Sequence, residues 1–246
     1  MKAADWKQRF EEQAQWTKTL RQYIFKRLPI KPGWKACEIG CGFGSILPEA
    51  SQHLGLTIGL DIALDSLTGQ PKTQNAPLIN ANACFLPFRQ NAFNLCFCHY
   101  FLLWIKEPQG LLEEVKRVLQ PGGYLAFFAE PDYALREAEP TAANALACMQ
   151  NLSLALQGVD LHAGSQLSRR LKDSGFELIE YGQITEGENI PPELSRSERD
   201  VLRSDWQFLI QHGGGSMSRS KLEFCLSGSI KRWQVPTFYA LARLKK

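Results

Sequence analysis

The sequence predicts an α/β fold, a mainly parallel sheet with helices on both faces. Three observations carry this reading. Apolar runs of strand length alternate with helical segments through residue 182. One run, Phe93-Asn-Leu-Cys-Phe-Cys98, is apolar nearly throughout, as a strand covered on both sides should be. A tight glycine loop, Gly40-Cys-Gly-Phe-Gly44, joins the first strand to the helix after it.

The elements follow in order. Trp6, Phe10, Ala14, Thr17, Leu20, Ile24 and Leu28 recur at steps of three or four, which predicts one amphipathic helix over residues 5–28. Pro29 ends it, and Pro32-Gly33 makes a turn. Lys35–Ile39 is a strand, the glycine loop follows, and Ser45–Leu54 is helical, with Pro48 tolerated only near the first turn. Leu56–Leu60 is a second strand ending at Asp61, and Ala63–Leu67 a short helix. Pro77–Asn80 and Phe93–Cys98 are the third and fourth strands. Gln109–Leu119 is a helix with Leu111, Leu112, Val115, Val118 and Leu119 on one face, stopped by Pro121-Gly122-Gly123. Tyr124–Ala129 is a fifth strand. Thr141 is expected to cap a helix that Gly158 terminates. Ser165–Ser174 is a helix, Phe176–Tyr181 a sixth strand and Val235–Leu244 a seventh.

Residues 183–234 interrupt the alternation and read as a helical insertion. Ser195-Arg-Ser-Glu198 is a capping box ahead of Val201, Leu202, Trp206, Leu209 and Ile210. Gly213-Gly214-Gly215 is a flexible break, and a shorter helix is expected at 218–226. The chain therefore reads as a single domain over 1–246, with an N-terminal helical cap at 1–30 and a helical insertion, or lid, at 183–234.

Composition narrows the function. Of 246 residues 44% are hydrophobic and 22% charged, an ordinary globular balance. No apolar run approaches the ~18–20 residues that a membrane span needs. The N-terminal residues carry no apolar signal region, so no secretory signal is expected. Lys and Arg number 28 against 25 Asp and Glu, and the net charge of +3 offers no phosphate track for nucleic acid. Seven cysteines, an odd number set mostly in apolar runs, predict buried thiols in a reducing cytoplasm. Cys37 and Cys41, and Cys96 and Cys98, lack partners at zinc spacing, so no metal is expected.

The chemistry concentrates at the glycine loop. Glu38-Ile-Gly40-Cys-Gly42-Phe-Gly44 follows a strand and precedes a helix. Asp61 comes twenty-one residues after Gly40, at the end of the next strand. An acid there can accept hydrogen bonds from both hydroxyls of a ribose. A dinucleotide would favour Gly-x-Gly-x-x-Gly, but Ser45 stands where the third glycine belongs. Glu38, two residues before the first glycine, suits a ligand with an amino group and disfavours pyrophosphate.

The chain resembles the class I S-adenosylmethionine-dependent methyltransferases, and most closely the small-molecule group that includes the ubiquinone/menaquinone-biosynthesis enzymes. The carrying segments are Glu38–Gly44, Gly59-Leu-Asp61-Ile, Asn80-Ala-Asn-Ala83 with Leu86-Pro-Phe88, Phe93-Asn-Leu95 and Glu114–Gly123. The resemblance implies a Rossmann-like seven-stranded methyltransferase sheet, mostly parallel, with an antiparallel last strand. It implies S-adenosyl-L-methionine as cofactor, S-adenosyl-L-homocysteine as product, and methyl transfer to an O, N or C atom of a small molecule. Glu38, Gly40, Cys41, Gly42 and Gly44 would hold the methionine end, and Asp61 the ribose. Ile62 would pack on adenine, Asn82 and Ala83 would meet its edge, and His99 and Tyr100 would line the transfer cleft. The sequence departs from the family at Asn82 and Asn94, where Asp is usual; the first bears on adenine binding, the second on structure.

His99 and Asp132 are the catalytic candidates. Glu130-Pro-Asp132-Tyr133 follows strand five, on the side where open α/β sheets bind ligands, so Asp132 reads as a base or as a turn residue. His99, Tyr100 and Trp104 each have a packing alternative. Trp16 and Tyr23, seven apart on the first helix, read as core or as a cap over the cofactor. An RNA methyltransferase, a non-catalytic cofactor-binding scaffold and an NAD(P)-dependent oxidoreductase are the alternatives. A cysteine-dependent arsenite methyltransferase is a further option that the cysteine spacings do not press.

Overall fold

The computed structural model describes residues 3–68, 76–184, 194–214, 217–228, 230 and 232–245. Among them are nine strands: β1 (Lys35–Ile39), β2 (Leu56–Asp61), β3 (Leu78–Asn80), β4 (Phe93–Cys98), β5 (Leu119–Pro131), β6 (Glu137–Glu139), β7 (Glu177–Gln183), β8 (Arg232–Gln234) and β9 (Thr237–Arg243). The helices are α1 (Ala3–Trp16), α2 (Lys18–Arg27), α3 (Leu47–His53), α4 (Leu64–Thr68), α5 (Pro108–Val118), α6 (Thr141–Leu156), α7 (Ala163–Asp173), α8 (Arg196–Gln211) and α9 (Arg219–Ser227).

Seven strands form one sheet in the order β3-β2-β1-β4-β5-β9-β7. All pairings are parallel except those of β9, which runs antiparallel to β5 and to β7. This is the Rossmann-like sheet with an antiparallel last strand that the sequence implies. The chain steps outward from β1 through β2 to β3, then returns to β4 on the other side of β1. That reversal opens a crevice at the carboxyl ends of β1 and β4, beside the glycine loop.

Alternation along the central strands builds two cores. Cys37, Ile39, Cys96 and Cys98 face the helices α5 and α7, through Leu111, Leu112, Val115, Leu167 and Leu171. Ala36, Leu95, Phe97 and Ala126 face the other way, onto Leu20, Ile24 and Phe25 of α2. A third apolar cluster joins α6, α8 and α9 through Leu146, Leu202, Leu209, Leu222 and Trp233.

Four expectations need correction. The single helix over residues 5–28 is two helices, broken at Thr17. The Thr17 hydroxyl donates back to Gln13 O at 3.1 Å, a bond that competes with helix geometry and bends it. Thr141 is the first residue of α6, not its cap; Pro140 holds the cap position with no side-chain bond. Strand β5 begins at Leu119, before the Pro-Gly-Gly stop, because Leu119 pairs with Phe93 across an irregular register. The two-stranded sheet of β6 and β8 has no counterpart in the sequence reading; three-residue strands are too short to show a period.

Within the insertion, Ser195 forms the expected capping box with Glu198. Gly213 has φ +71° after α8, while Gly215 of the glycine break lies outside the described residues. So does 185–193 of the insertion.

Candidate active site

The glycine loop owes its shape to three residues with positive φ, Gly40 (75°), Gly42 (50°) and Gly44 (66°). The N–H groups of Gly40 and Cys41 both donate to Leu60 O, at 2.8 and 3.0 Å, which folds the loop over the end of β2. Asp61 then closes it. One carboxylate oxygen accepts the Gly42 N–H and the other the Ala63 N–H, both at 2.8 Å. A Cβ on Gly40 would fall 1.9 Å from the Phe101 ring, so the loop and the end of β4 touch without room for a side chain.

Glu38 sits at the base of this loop, 2% exposed, and Oε2 has no hydrogen-bond partner among the described residues. Burial pushes its carboxyl well above the usual range, with Arg21 opposing and Asp61 reinforcing the shift. Arg21 itself is committed. It donates to Glu49 Oε2 from Nε (2.9 Å) and to Ala14 O (2.7 Å) and Thr17 Oγ1 (2.5 Å) from Nη1.

His99 and Tyr100 leave the end of β4 at the rim of the crevice. His99 Nε2 lies 2.8 Å from Thr17 Oγ1. Burial, and then the Arg21 cation, hold the imidazole well below its ordinary pKa, so it is neutral. Tyr100 takes a positive φ of 52°, and its N–H donates to Ala129 O at 2.7 Å. Buried Glu130 fixes the next turn by accepting the N–H groups of Phe101 (3.1 Å) and Leu102 (3.0 Å).

A cavity of about 590 Å³ lies over these groups. Glu38, Gly40, Cys41, Gly42, Asp61, His99 and Tyr100 all line it. The opposite wall comes from α1, through Trp6, Arg9, Phe10 and Trp16, and from α8, through Glu198, Val201, Leu202 and Phe208. The two helices are tied by Arg9 Nη2 to Glu198 Oε1 at 3.3 Å, and by Glu12 accepting from Ser195 and Ser197.

Asp132 accords with its turn-residue alternative. It is fully buried and absent from the cavity lining; its carboxylate caps the turn at Leu135 N (3.1 Å) and reaches Ser165 N (3.2 Å). The neighbouring Pro131 and Tyr133 line the cavity instead. Three adenine-side candidates also stand outside the lining. Ile62 is 71% exposed, Asn82 is exposed and accepts Cys84 N at 2.9 Å, and Ala83 is packed in the core. Gly44 holds the loop conformation without lining the cavity. Of the two N-terminal aromatics, Trp16 lines the cavity, whereas Tyr23 is on the surface with Glu180. Asn94 is structural: it accepts Lys35 N and donates to Gln120. The seven cysteines are free, and burial pushes the thiols of Cys37, Cys41, Cys96 and Cys98 up.

Sequence reasoning missed Arg136. Its side chain sits over the rings of Tyr133 and Trp233, 4.8 and 4.7 Å from their centroids, at the edge of the cavity. The available signal was an arginine three residues beyond Tyr133, just past the ligand-binding end of β5. Trp6 and Phe10 were read only as one side of a helix, and Arg9 was not singled out.

Comparison with known proteins agrees with this geometry. Residues 37–127 match the family described as a methyltransferase domain. A demethylmenaquinone methyltransferase of Staphylococcus saprophyticus is 33% identical over 115 residues, covering 44% of this chain and 49% of that protein. The chain thus spans about half the length of the curated relatives it matches. Among solved structures, a protein of Bacillus halodurans superposes with a TM-score of 0.61 at 15% identity, over 92% of this chain and 98% of its own. Phosphoethanolamine N-methyltransferase 2 of Haemonchus contortus, solved with S-adenosyl-L-methionine, gives a TM-score of 0.61 at 18% identity, over 93% of this chain and 53% of its own. No helix among the described residues is long and apolar enough to cross a membrane.

Proposed function

We propose that the protein, whose residues 37–127 match the methyltransferase-domain family within a class I methyltransferase fold, is an S-adenosylmethionine-dependent enzyme that methylates an O, N or C atom of a small molecule. One observation carries the reading. Glu38 presents a buried carboxylate oxygen without a partner among the described residues, at the foot of a loop whose other end is pinned by Asp61. A buried acceptor of this kind is costly unless a ligand satisfies it, and an ammonium group does so best.

The residues present fit the cofactor. Glu38 would take the ammonium of its methionine end, and the loop of Gly40, Cys41, Gly42 and Gly44 leaves space for a close backbone approach. Asp61 retains lone pairs for the ribose hydroxyls after accepting two N–H bonds. Exposed Ile62 and Asn82 would form an open adenine face, with core-packed Ala83 beyond the end of β3 offering its backbone at the edge. The cofactor supplies a sulfonium methyl already activated for displacement. What the chain must add is alignment and exclusion of water. His99 and Tyr100 would flank the reacting atoms, and the neutral His99 imidazole is the candidate proton acceptor where the nucleophile must lose a proton.

Segments 1–30 and 183–234 would enclose the acceptor. The support is their shared wall, to which α1 gives Trp6, Phe10 and Trp16 and α8 gives Val201, Leu202 and Phe208. The aromatic lining suits a flat apolar acceptor. Unpaired cysteines support a reducing, cytoplasmic setting.

Titration calorimetry with S-adenosyl-L-homocysteine, S-adenosyl-L-methionine and NAD⁺ tests the reading. Binding of the first two and not the third is expected. Binding of NAD⁺ alone would overturn it, as would binding of none.

A further inference from the structure

We propose that Arg136 anchors a carboxylate on the methyl acceptor, so that the acceptor is a ring-bearing organic acid. The word acceptor rests on the methyl-transfer reading above; the anion site follows from geometry alone.

The guanidinium of Arg136 is withdrawn from solvent, and none of Nε, Nη1 and Nη2 has a hydrogen-bond partner among the described residues. A buried cation without acceptors is expensive to maintain. The rings of Tyr133 and Trp233, at 4.8 and 4.7 Å, offer cation–π attraction but leave the N–H groups unanswered. Burial lowers its pKa to about 10, which still leaves it charged at neutral pH.

The nearby acids are already engaged. Glu198 pairs with Arg9 at 3.3 Å and caps α8. Asp205 accepts from Gln150 (2.9 Å), Ser153 (2.8 Å) and Gln157 (3.4 Å). Both still act on Arg136 through the field, as does Tyr133. A dianion such as a phosphate ester would have to enter against those two carboxylates. A single carboxylate meets less of that repulsion, and its two oxygens fit the planar guanidinium fork, whose N–H groups have no acceptor among the described residues.

The anchor is also preorganised. Glu137, next in the chain, pairs with Gln234, and Ala138 pairs with Trp233. The small β6–β8 sheet thus fixes the arginine and its stacking ring in one register, and gives an otherwise unexplained pair of strands a role. The aromatic neighbours define the rest of the ligand as an apolar ring system.

Calorimetry tests this with 2-naphthoate and benzoate against naphthalene-2-carboxamide and benzamide, each added to protein saturated with S-adenosyl-L-homocysteine. The acids are expected to bind about tenfold or more tightly than the matching amides. Arg136→Met should abolish that preference and Arg136→Lys should weaken it, with S-adenosyl-L-homocysteine affinity unchanged in both. Equal binding of acid and amide, binding of neither, or a preference that survives Arg136→Met would overturn the proposal. The acid–amide comparison on the unaltered protein decides the matter even if a variant fails to fold. Failure of S-adenosyl-L-homocysteine to bind would instead overturn the methyl-transfer reading, and the same comparison without it would then decide the anion site.

Discussion

Thr17 and His99 stand 82 positions apart in the chain, yet Thr17 Oγ1 lies 2.8 Å from His99 Nε2. The contact joins the break between α1 and α2 to the end of β4, where the cavity begins. A threonine hydroxyl has one proton. Given to Gln13 O, it leaves His99 to donate from Nε2, so Nδ1 is the basic nitrogen. The break that the sequence pattern concealed is therefore what sets the imidazole tautomer.

A pH dependence follows. Burial and Arg21 keep His99 neutral in the fold, whereas in the unfolded chain it takes a proton below its ordinary value of ~6.5. Below that pH the unfolded state binds more protons, and stability falls as the solution is acidified. Urea melts between about pH 5 and 8 should show a steeper acid-side loss for the unaltered protein than for His99→Gln. Parallel curves would show that His99 titrates alike in both states.

Glu130 has the opposite sign. Burial raises its pKa to about 7, above the ordinary ~4.3 of an unfolded glutamate. Between those values the folded state holds the extra proton. Stability therefore declines as pH rises through that window, by up to ~4 kcal/mol, and is flat above it. Glu130→Gln keeps an oxygen for the N–H groups of Phe101 and Leu102 and should remove this slope. An unchanged slope in the variant would assign it elsewhere.

Gly40 allows no side chain. Its φ of +75° disfavours other residues, and a Cβ would meet Phe101 at 1.9 Å. Gly40→Ala is expected to cost ~2–3 kcal/mol in thermal or urea unfolding and to weaken S-adenosyl-L-homocysteine binding as the loop and Phe101 part. A variant that melts and binds like the unaltered protein would show that the contact yields freely.

The sheet and the cofactor side of the cavity were legible in the sequence for local reasons. β1, the glycine loop, β2 and Asp61 are consecutive, so spacing alone sets their geometry. β4 declares itself by an apolar run that needs cover on both faces. The wall built from α1, α8 and β8 was not legible, because it joins residues far apart: Arg9 to Glu198, Ala138 to Trp233. Asp132 shows the complementary ambiguity. Its position at the end of β5 suggested the crevice, but an Asp after a Pro is also a natural turn cap, and Leu135 N and Ser165 N claim the carboxylate. Thr17 kept the helical period while breaking the helix, which a pattern of apolar positions does not register.

The central claim is that Glu38 and Asp61 bracket one S-adenosylmethionine site. Calorimetric titration of S-adenosyl-L-homocysteine into Asp61→Ala, beside the unaltered protein, tests it most directly. Asp61 holds the loop, through Gly42 N–H at 2.8 Å, and on the proposed reading would also take the ribose, so its loss would remove charge-assisted bonds on both sides. The account predicts an affinity lower by about 2–3 kcal/mol, roughly 30- to 150-fold, in a variant that remains folded. An affinity equal to that of the unaltered protein would contradict it.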